Sequence, residues 1–398
     1  MDEGMITRLA DLLVGVGANV QPRQILCVNA QVGQEDIARA IAARAYDRGA
    51  RGVEVVYDDK HVKRARIEHG SDDAIGFAPS WQVDRIRGMG DQHVAVIALE
   101  GPTSPDILAG LDPVRVANDQ LPTRREWLKV VNDRSVNWTI GPYPNPAWAG
   151  LVYPDEEPQQ ALAHLWEAVA HMCRLDEDDP AAAWRERMAT LHGVSERLTE
   201  RTFSALHYEG PGTDFTLGLL PGSKWLSARF TTAEGLEHWP NLPTEEVFTA
   251  PDPARADGVV RSTKPLELDG TIIRDLEVRF EGGRAVEINA STGAEVLRGR
   301  TSLDDGGARL GEVALVDREG RIGPLDTVFW TTLIDENAAS HLALGNAYAF
   351  SVDDSDRENI NSSTIHIDFM IGSNDVAVTG ITGSGDRVPV LRDGAWQI

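Results

Sequence analysis

The sequence predicts an α/β N-terminal domain with a mainly parallel sheet, followed by a β-rich α+β domain. Three observations carry this. Up to about residue 175, short β-branched runs alternate with helix-patterned stretches, the layout of βαβ units. Past Tyr208 the chain turns to short strands, glycine turns and prolines. Between them, Gln159 to Ala205 is mostly helical in pattern, which puts the domains at 1–205 and 206–398. A chain of 398 residues is also too long for one ordinary core.

The elements follow in order. Ile6, Leu9, Leu12 and Leu13 recur at helical spacing and predict a first helix. Ile25 to Ala30 is a short buried-strand run, and Glu35 to Arg48 is helical, ending near Gly49. Strand runs recur at Val53–Tyr57, Val94–Leu99 and Val136–Ile140. Asp176–Pro180 breaks the helical stretch and opens the next helix. Strands are then expected at Asp214–Leu219, Trp225–Phe230, Val259–Thr263, Leu276–Phe280 and Ala285–Asn289, with Glu281–Arg284 as a hairpin connection. One helix is predicted from Asp335 to Leu344, stopped by Gly345.

Composition excludes several classes. The formal net charge of −24 repels nucleic-acid backbone and acidic membrane surfaces. Met1-Asp2-Glu3-Gly4-Met5 runs straight into an amphipathic pattern, so no signal peptide is expected. The longest apolar runs are far too short to cross a bilayer, and a cytoplasmic location is expected. Cys27 and Cys173 are the only cysteines and offer neither a disulfide framework nor a zinc-thiolate spacing. A parallel sheet invites a nucleotide, but Gly15-Val16-Gly17 follows a helix, lacks a third glycine and reads as a helix stop.

Chemistry concentrates in the later half. Ile365, Ile367, Phe369 and Ile371 alternate with His366, Asp368 and Met370, the period of a half-buried strand. His366 and Asp368 therefore emerge on one face, one pleat apart, as half of a divalent-metal site or as the wet face of the strand. Glu312 lies in the apolar strand Leu310–Val316, where a carboxylate needs a cation, a strong donor or an edge position. Glu245 and Glu246 precede Val247 and Phe248, so strand alternation would send one of the pair inward. His341 falls on the predicted helix, as a core residue or a ligand, with Asp335 and Glu336 as charges at its N-terminus or as ligands. Together Glu246, Glu312, Glu336, His341, His366 and Asp368 exceed the three protein ligands of one catalytic metal. The surplus of carboxylates points to two divalent ions about 3.5–4 Å apart.

These residues also carry a resemblance. Gly210–Asp214, Asn241–Thr249, Gly311–Val316, Asn337–Gly345 and Ile365–Asp368 resemble, in order and spacing, successive motifs of the thermophilic aminopeptidases, the aminopeptidase T and aminopeptidase S type metallopeptidases. The likeness runs from about Glu209 to Gly380; the first half is looser, mainly at Val152–Asp155. It implies Glu246, Glu312, His341, His366 and Asp368 as metal ligands, with Glu336 beside them and Tyr348 at the metal centre. It further implies a homodimer and activation by zinc, cobalt or magnesium, among which mixed imidazole and carboxylate ligands do not choose.

The expected activity is hydrolysis of the N-terminal peptide bond of short peptides with a free N-terminus. Two metal ions would activate water, Glu312 or Glu336 rather than Glu245 would take its proton, and Tyr348 would support the oxyanion. Two rivals stand beside this. His341, His366 and Asp368 alone form the two-histidine, one-carboxylate set of a mononuclear non-haem iron ring-cleaving dioxygenase, a class similar in fold to these peptidases. A non-catalytic binding protein with a structural metal is the other, although structural sites are usually closed and cysteine-rich.

Overall fold

The computed structural model describes residues 3–398, the side chain of Pro113 excepted; Met1 and Asp2, the start of the acidic N-terminal stretch, lie outside the described residues. The chain divides into two compact units. One comprises the chain up to Arg187 together with Ala228–Thr244; the other comprises Met188–Ser227 and Glu245–Ile398.

The first unit is built on four parallel strands in the order β2-β1-β3-β4: β1 Ile25–Gln31, β2 Gly52–Asp58, β3 Ala95–Glu100 and β4 Trp138–Pro142. The runs expected at Val94–Leu99 and Val136–Ile140 thus form strands shifted by one or two residues. The helix Glu35–Asp47 opens with Glu35 and Asp36, charges that suit its N-terminus, and buries Ile37, Ala38, Ile41 and Ala45. The first helix, Glu3–Leu12, widens into a π-turn at Leu13–Gly17 and stops, consistent with the helix-stop reading of Gly15-Val16-Gly17. Gly17 is required there, since a β-carbon would lie 2.7 Å from the Thr139 hydroxyl.

The second unit holds an eight-stranded and a five-stranded sheet. Glu277–Glu281 and Arg284–Asn289 form the expected hairpin, turning through Gly282 and Gly283, both at positive φ. The five-stranded sheet is antiparallel and runs His366–Met370, His341–Gly345, Leu310–Val316, Glu246–Thr249 and Leu226–Ser227. The single strand expected over Trp225–Phe230 is instead split. Leu226–Ser227 edges this sheet, while Phe230–Thr231 pairs with Glu237–His238 in the first unit.

The helix expected over Asp335–Leu344 is not found. Thr332–Asp335 makes one helical turn, Glu336–Ala338 a 3₁₀ turn, and Ala339 is extended, leading into the strand His341–Gly345. Alanine and leucine read locally as helix formers. Pairing on both edges, with Leu310–Val316 and with His366–Met370, outweighs that preference. Asp335 consequently does not stand at a helix N-terminus. It closes the helical turn, its carboxylate accepting from the amides of Phe329 (2.8 Å) and Thr331 (3.2 Å).

Candidate metal centre

Strand register gathers the acidic and imidazole side chains on one face. Glu312 lies opposite Ala343, and Ala343 opposite Asp368, so the two carboxylates flank a small residue across three strands. Two residues along, His341 lies opposite Ala314, and Gly345 opposite His366. Glu246 enters from the neighbouring strand, opposite Val316. Period-2 alternation keeps these residues on the same side, while Ala314, Ala343 and Gly345 leave the floor between them open.

The result is two groups of three, Glu246–Glu312–His341 and Glu312–His366–Asp368, whose ligand atoms lie within 4.8 Å of one another in each group. Glu312 is common to both. His341 Nε2 is 3.0 Å from Glu246 Oε2 and 3.6 Å from Glu312 Oε1; His366 Nε2 is 3.8 Å from Glu312 Oε2 and 3.4 Å from Asp368 Oδ1. Glu312 is buried in an interior strand, not at an edge facing water.

The tautomers are fixed from behind. His341 Nδ1 lies 3.1 Å from the Ala339 carbonyl and His366 Nδ1 2.8 Å from the Asn346 carbonyl. A carbonyl only accepts, so each Nδ1 carries the proton, and each neutral ring turns the lone pair of Nε2 toward the carboxylates. Gly345 makes the second of these contacts possible. Its φ of +110° turns the chain into Asn346, and a β-carbon there would lie 2.2 Å from the Ile365 carbonyl oxygen.

The residues fit a cation. Glu246 Oε2 and Asp368 Oδ1 are buried and accept no hydrogen bond, despite the nearby Nε2 atoms. Lone pairs facing carboxylates repel unless a proton or a metal ion stands between them. Without a metal the cluster draws protons in. Burial, followed by Asp368 and Glu246, holds the Glu336 carboxyl well above its ordinary range. Burial likewise raises Glu312, reinforced by Glu246 and Asp368 against the pull of both histidines. Burial opposes charge on His341, but Glu246 and Glu312 outweigh it and hold the ring well above its usual value. His366 is pushed up to about 9: burial opposes its charge, and Asp368 more than compensates. Asp368 is lowered, because the histidines overcome its burial. The five imidazole and carboxylate residues of the two groups are compatible with zinc, cobalt or magnesium.

Glu336 belongs to neither group of three, yet it lies within the field of Glu246, Glu312, His341 and Asp368. The Tyr348 ring is 5.9 Å from that of His366; burial and then the charges of Glu312, Asp368, Glu336 and Glu246 keep its phenol protonated. Glu245 is buried too, but outside both groups. Its amide donates to Asn337 Oδ1 (2.7 Å), and its Oε1 accepts from the Arg321 amide (3.3 Å). Asn337 in turn donates to the Leu333 carbonyl (3.0 Å), so it ties the strand of Glu246 to the turn carrying Glu336. Sequence reasoning passed over Asn337 and the carbonyls of Ala339 and Asn346. Backbone groups leave no mark in a sequence, and a lone asparagine in a polar run gives no signal of burial.

Comparison with known proteins gives a consistent answer. The family model described as thermophilic metalloprotease (M29) matches residues 2–396. Aminopeptidase T of Thermus aquaticus is 40% identical, over 99% of this chain and 98% of its own length. Aminopeptidase AmpS of Bacillus subtilis is 38% identical over 97% of each. The structure of wild-type AmpT from Thermus thermophilus superposes with a TM-score of 0.91 at 37% identity, covering both chains fully. A 2,5-dihydroxypyridine dioxygenase from Pseudomonas putida KT2440 shares the fold at a TM-score of 0.55 and 14% identity, covering 100% of this chain and 98% of that one. With almost the whole chain matched, this protein belongs to the M29 family of thermophilic metalloproteases.

Proposed function

We propose that this protein is a metal-dependent aminopeptidase that removes the N-terminal residue of short peptides, with two divalent ions held side by side. Family membership implies a divalent metal cofactor. The observation that carries the finer reading is Glu312, shared between Glu246–His341 on one side and His366–Asp368 on the other. A carboxylate shared by two imidazole-carboxylate pairs would let these residues hold two ions close together, the arrangement of two-metal hydrolytic sites. Glu246 and His341 would hold one ion, His366 and Asp368 the other, with Glu336 adjoining.

The ions, when bound, supply Lewis-acid polarisation of the scissile carbonyl and of the attacking water. The chain's own groups do the rest. Glu312 would be spent on holding the ions, and Glu336, outside both groups, is the carboxylate left to take the proton of water and pass it to the departing amine. Tyr348, kept as a neutral phenol, donates a hydrogen bond to the developing oxyanion. The free α-amino group of the substrate would bind an ion or a carboxylate not spent on one, which would restrict cleavage to the terminus. Zinc, cobalt and magnesium are all compatible ions, and a cytoplasmic homodimer is the form in which we take the enzyme to act. No helix among the described residues is long and apolar enough to cross a membrane.

A ring-cleaving iron centre is disfavoured by the same geometry. Its ligands His341 and His366 fall in different groups of three, and Glu246 and Glu312 would have no part in it. The test is a panel of unblocked and N-acetylated peptides, assayed before and after chelation. Release of the first residue from unblocked peptides only, lost on chelation and restored by metal, is the expected result. Equal cleavage of acetylated peptides, or activity indifferent to thorough metal removal, refutes the proposal.

A further inference from the structure

Beside the cluster stands a stack of three aromatic rings that the proposed chemistry does not fully use. Phe248 packs edge-on against Tyr348 with ring centres 6.1 Å apart, and Phe350 lies nearly parallel to Tyr348 at 5.2 Å and 24°. Phe248 is buried, whereas Tyr348 and Phe350 are half-buried and keep part of their surface open. Phe350 thus presents an apolar face one ring away from the Tyr348–His366 contact.

The segment bearing these rings is rigidly anchored. Ala347 and Val352, on either side, pack into a small core with Leu220 and Ala250. Between them Ala349–Ser351 forms a 3₁₀ turn, with the Ser351 amide (3.1 Å) and hydroxyl (2.7 Å) both donating to the Tyr348 carbonyl. The Ser351 carbonyl accepts from the Lys224 amide (2.8 Å) and the Thr249 hydroxyl (3.3 Å). A half-open aromatic face on a fixed turn is the kind of surface that lines binding pockets, because it gives apolar area with little ordering cost.

Resting on the aminopeptidase reading, we propose that Phe350, stacked on Tyr348 beside the carboxylate-imidazole cluster, is the wall against which the side chain of the substrate's N-terminal residue packs. The residue being released has its α-carbon next to the polarised carbonyl, so its side chain projects only a few ångströms from the cluster. Phe350 lies one ring further out, 5.2 Å from Tyr348, whose own ring is 5.9 Å from that of His366, so its phenyl face would meet the far end of a long side chain and favour leucine and phenylalanine over alanine. Phe350 is a specificity residue in this account and takes no part in proton transfer.

The experiment compares kcat/KM for leucine, phenylalanine and alanine p-nitroanilides in the metal-loaded wild type, Phe350→Ala and Phe350→Leu. In Phe350→Ala the ratio of leucine to alanine activity should fall about tenfold, as expected for losing one apolar wall. Phe350→Leu should restore most of that ratio, and bound metal per chain should match the wild type in both. A uniform fall across the three substrates, or no change in any, overturns the specificity role while leaving the aminopeptidase reading intact. A wild-type enzyme that cleaves none of the three overturns the aminopeptidase reading itself.

Discussion

The shared carboxylate of Glu312 makes a prediction that can be counted. A ligand that binds only the folded state stabilises it by RT ln(1 + [L]/Kd), so each tenfold rise in free metal above Kd adds about 1.4 kcal/mol per ion. One ion therefore gives about 1.4 kcal/mol per decade, and two ions binding in the same range give about 2.7 kcal/mol. All the candidate ligands lie in the unit formed by Met188–Ser227 and Glu245–Ile398. For a unit of that size, 1 kcal/mol moves the melting temperature by roughly 2–4 °C. The wild type should then gain about 5–11 °C per decade of free zinc, cobalt or magnesium in a metal-buffered thermal melt. His341→Ala removes a ligand of one group only, since His341 is absent from the group Glu312–His366–Asp368. Its slope should fall to that of a single ion, about 3–5 °C per decade. Glu312→Gln weakens both groups and should flatten the dependence. A wild-type slope of one ion that His341→Ala leaves untouched would refute the dinuclear arrangement. No metal dependence at all would refute metal binding by this cluster.

Further predictions concern individual residues. Glu336→Gln should retain bound metal and the native melting transition yet lose at least about a hundredfold in kcat, the range of general acid-base catalysis, measured on an unblocked peptide. Asn337→Leu strands the Glu245 amide and the Leu333 carbonyl. It should cost about 1–3 kcal/mol for each buried group left unsatisfied, read from the denaturation midpoint, and weaken metal retention with it. His238, packed against Trp138 and Phe230, is lowered by burial from 6.5 to about 4, against a smaller opposing effect of the Leu236 backbone. The unfolded chain then binds the proton more readily, so its contribution is whole above pH 6.5 and is lost as pH falls toward 4. It amounts to about 3 kcal/mol, and His238→Phe should lose that much less stability than wild type between pH 7 and pH 4.

How far the sequence could be read depended on whether a residue's role was local. The strand bearing His366 and Asp368 was legible because its apolar partners Ile365, Ile367 and Phe369 alternate, and alternation is a property of the segment alone. The parallel sheet of the first unit was legible because its short continuous apolar runs between helical stretches are likewise properties of each segment alone. The segment around His341 was not: its alanines and leucines favour a helix, and only the strands on either side make it extended. That misreading matters for the chemistry. On a helix, His341 and Ala343 would point apart; on a strand they share a face, and Ala343 becomes the small floor between Glu312 and Asp368. Glu245 and Glu246 show the same limit. Alternation separates them, yet both are buried, Glu246 against His341 and Glu245 with its carboxylate on the Arg321 amide. A sequence names the ionisable groups that burial would make expensive. Which of them face a cation and which a backbone amide is decided by register across strands more than a hundred residues apart. Here that register sets Glu312 at the junction of both groups, and so makes one glutamate the residue on which the count of ions turns.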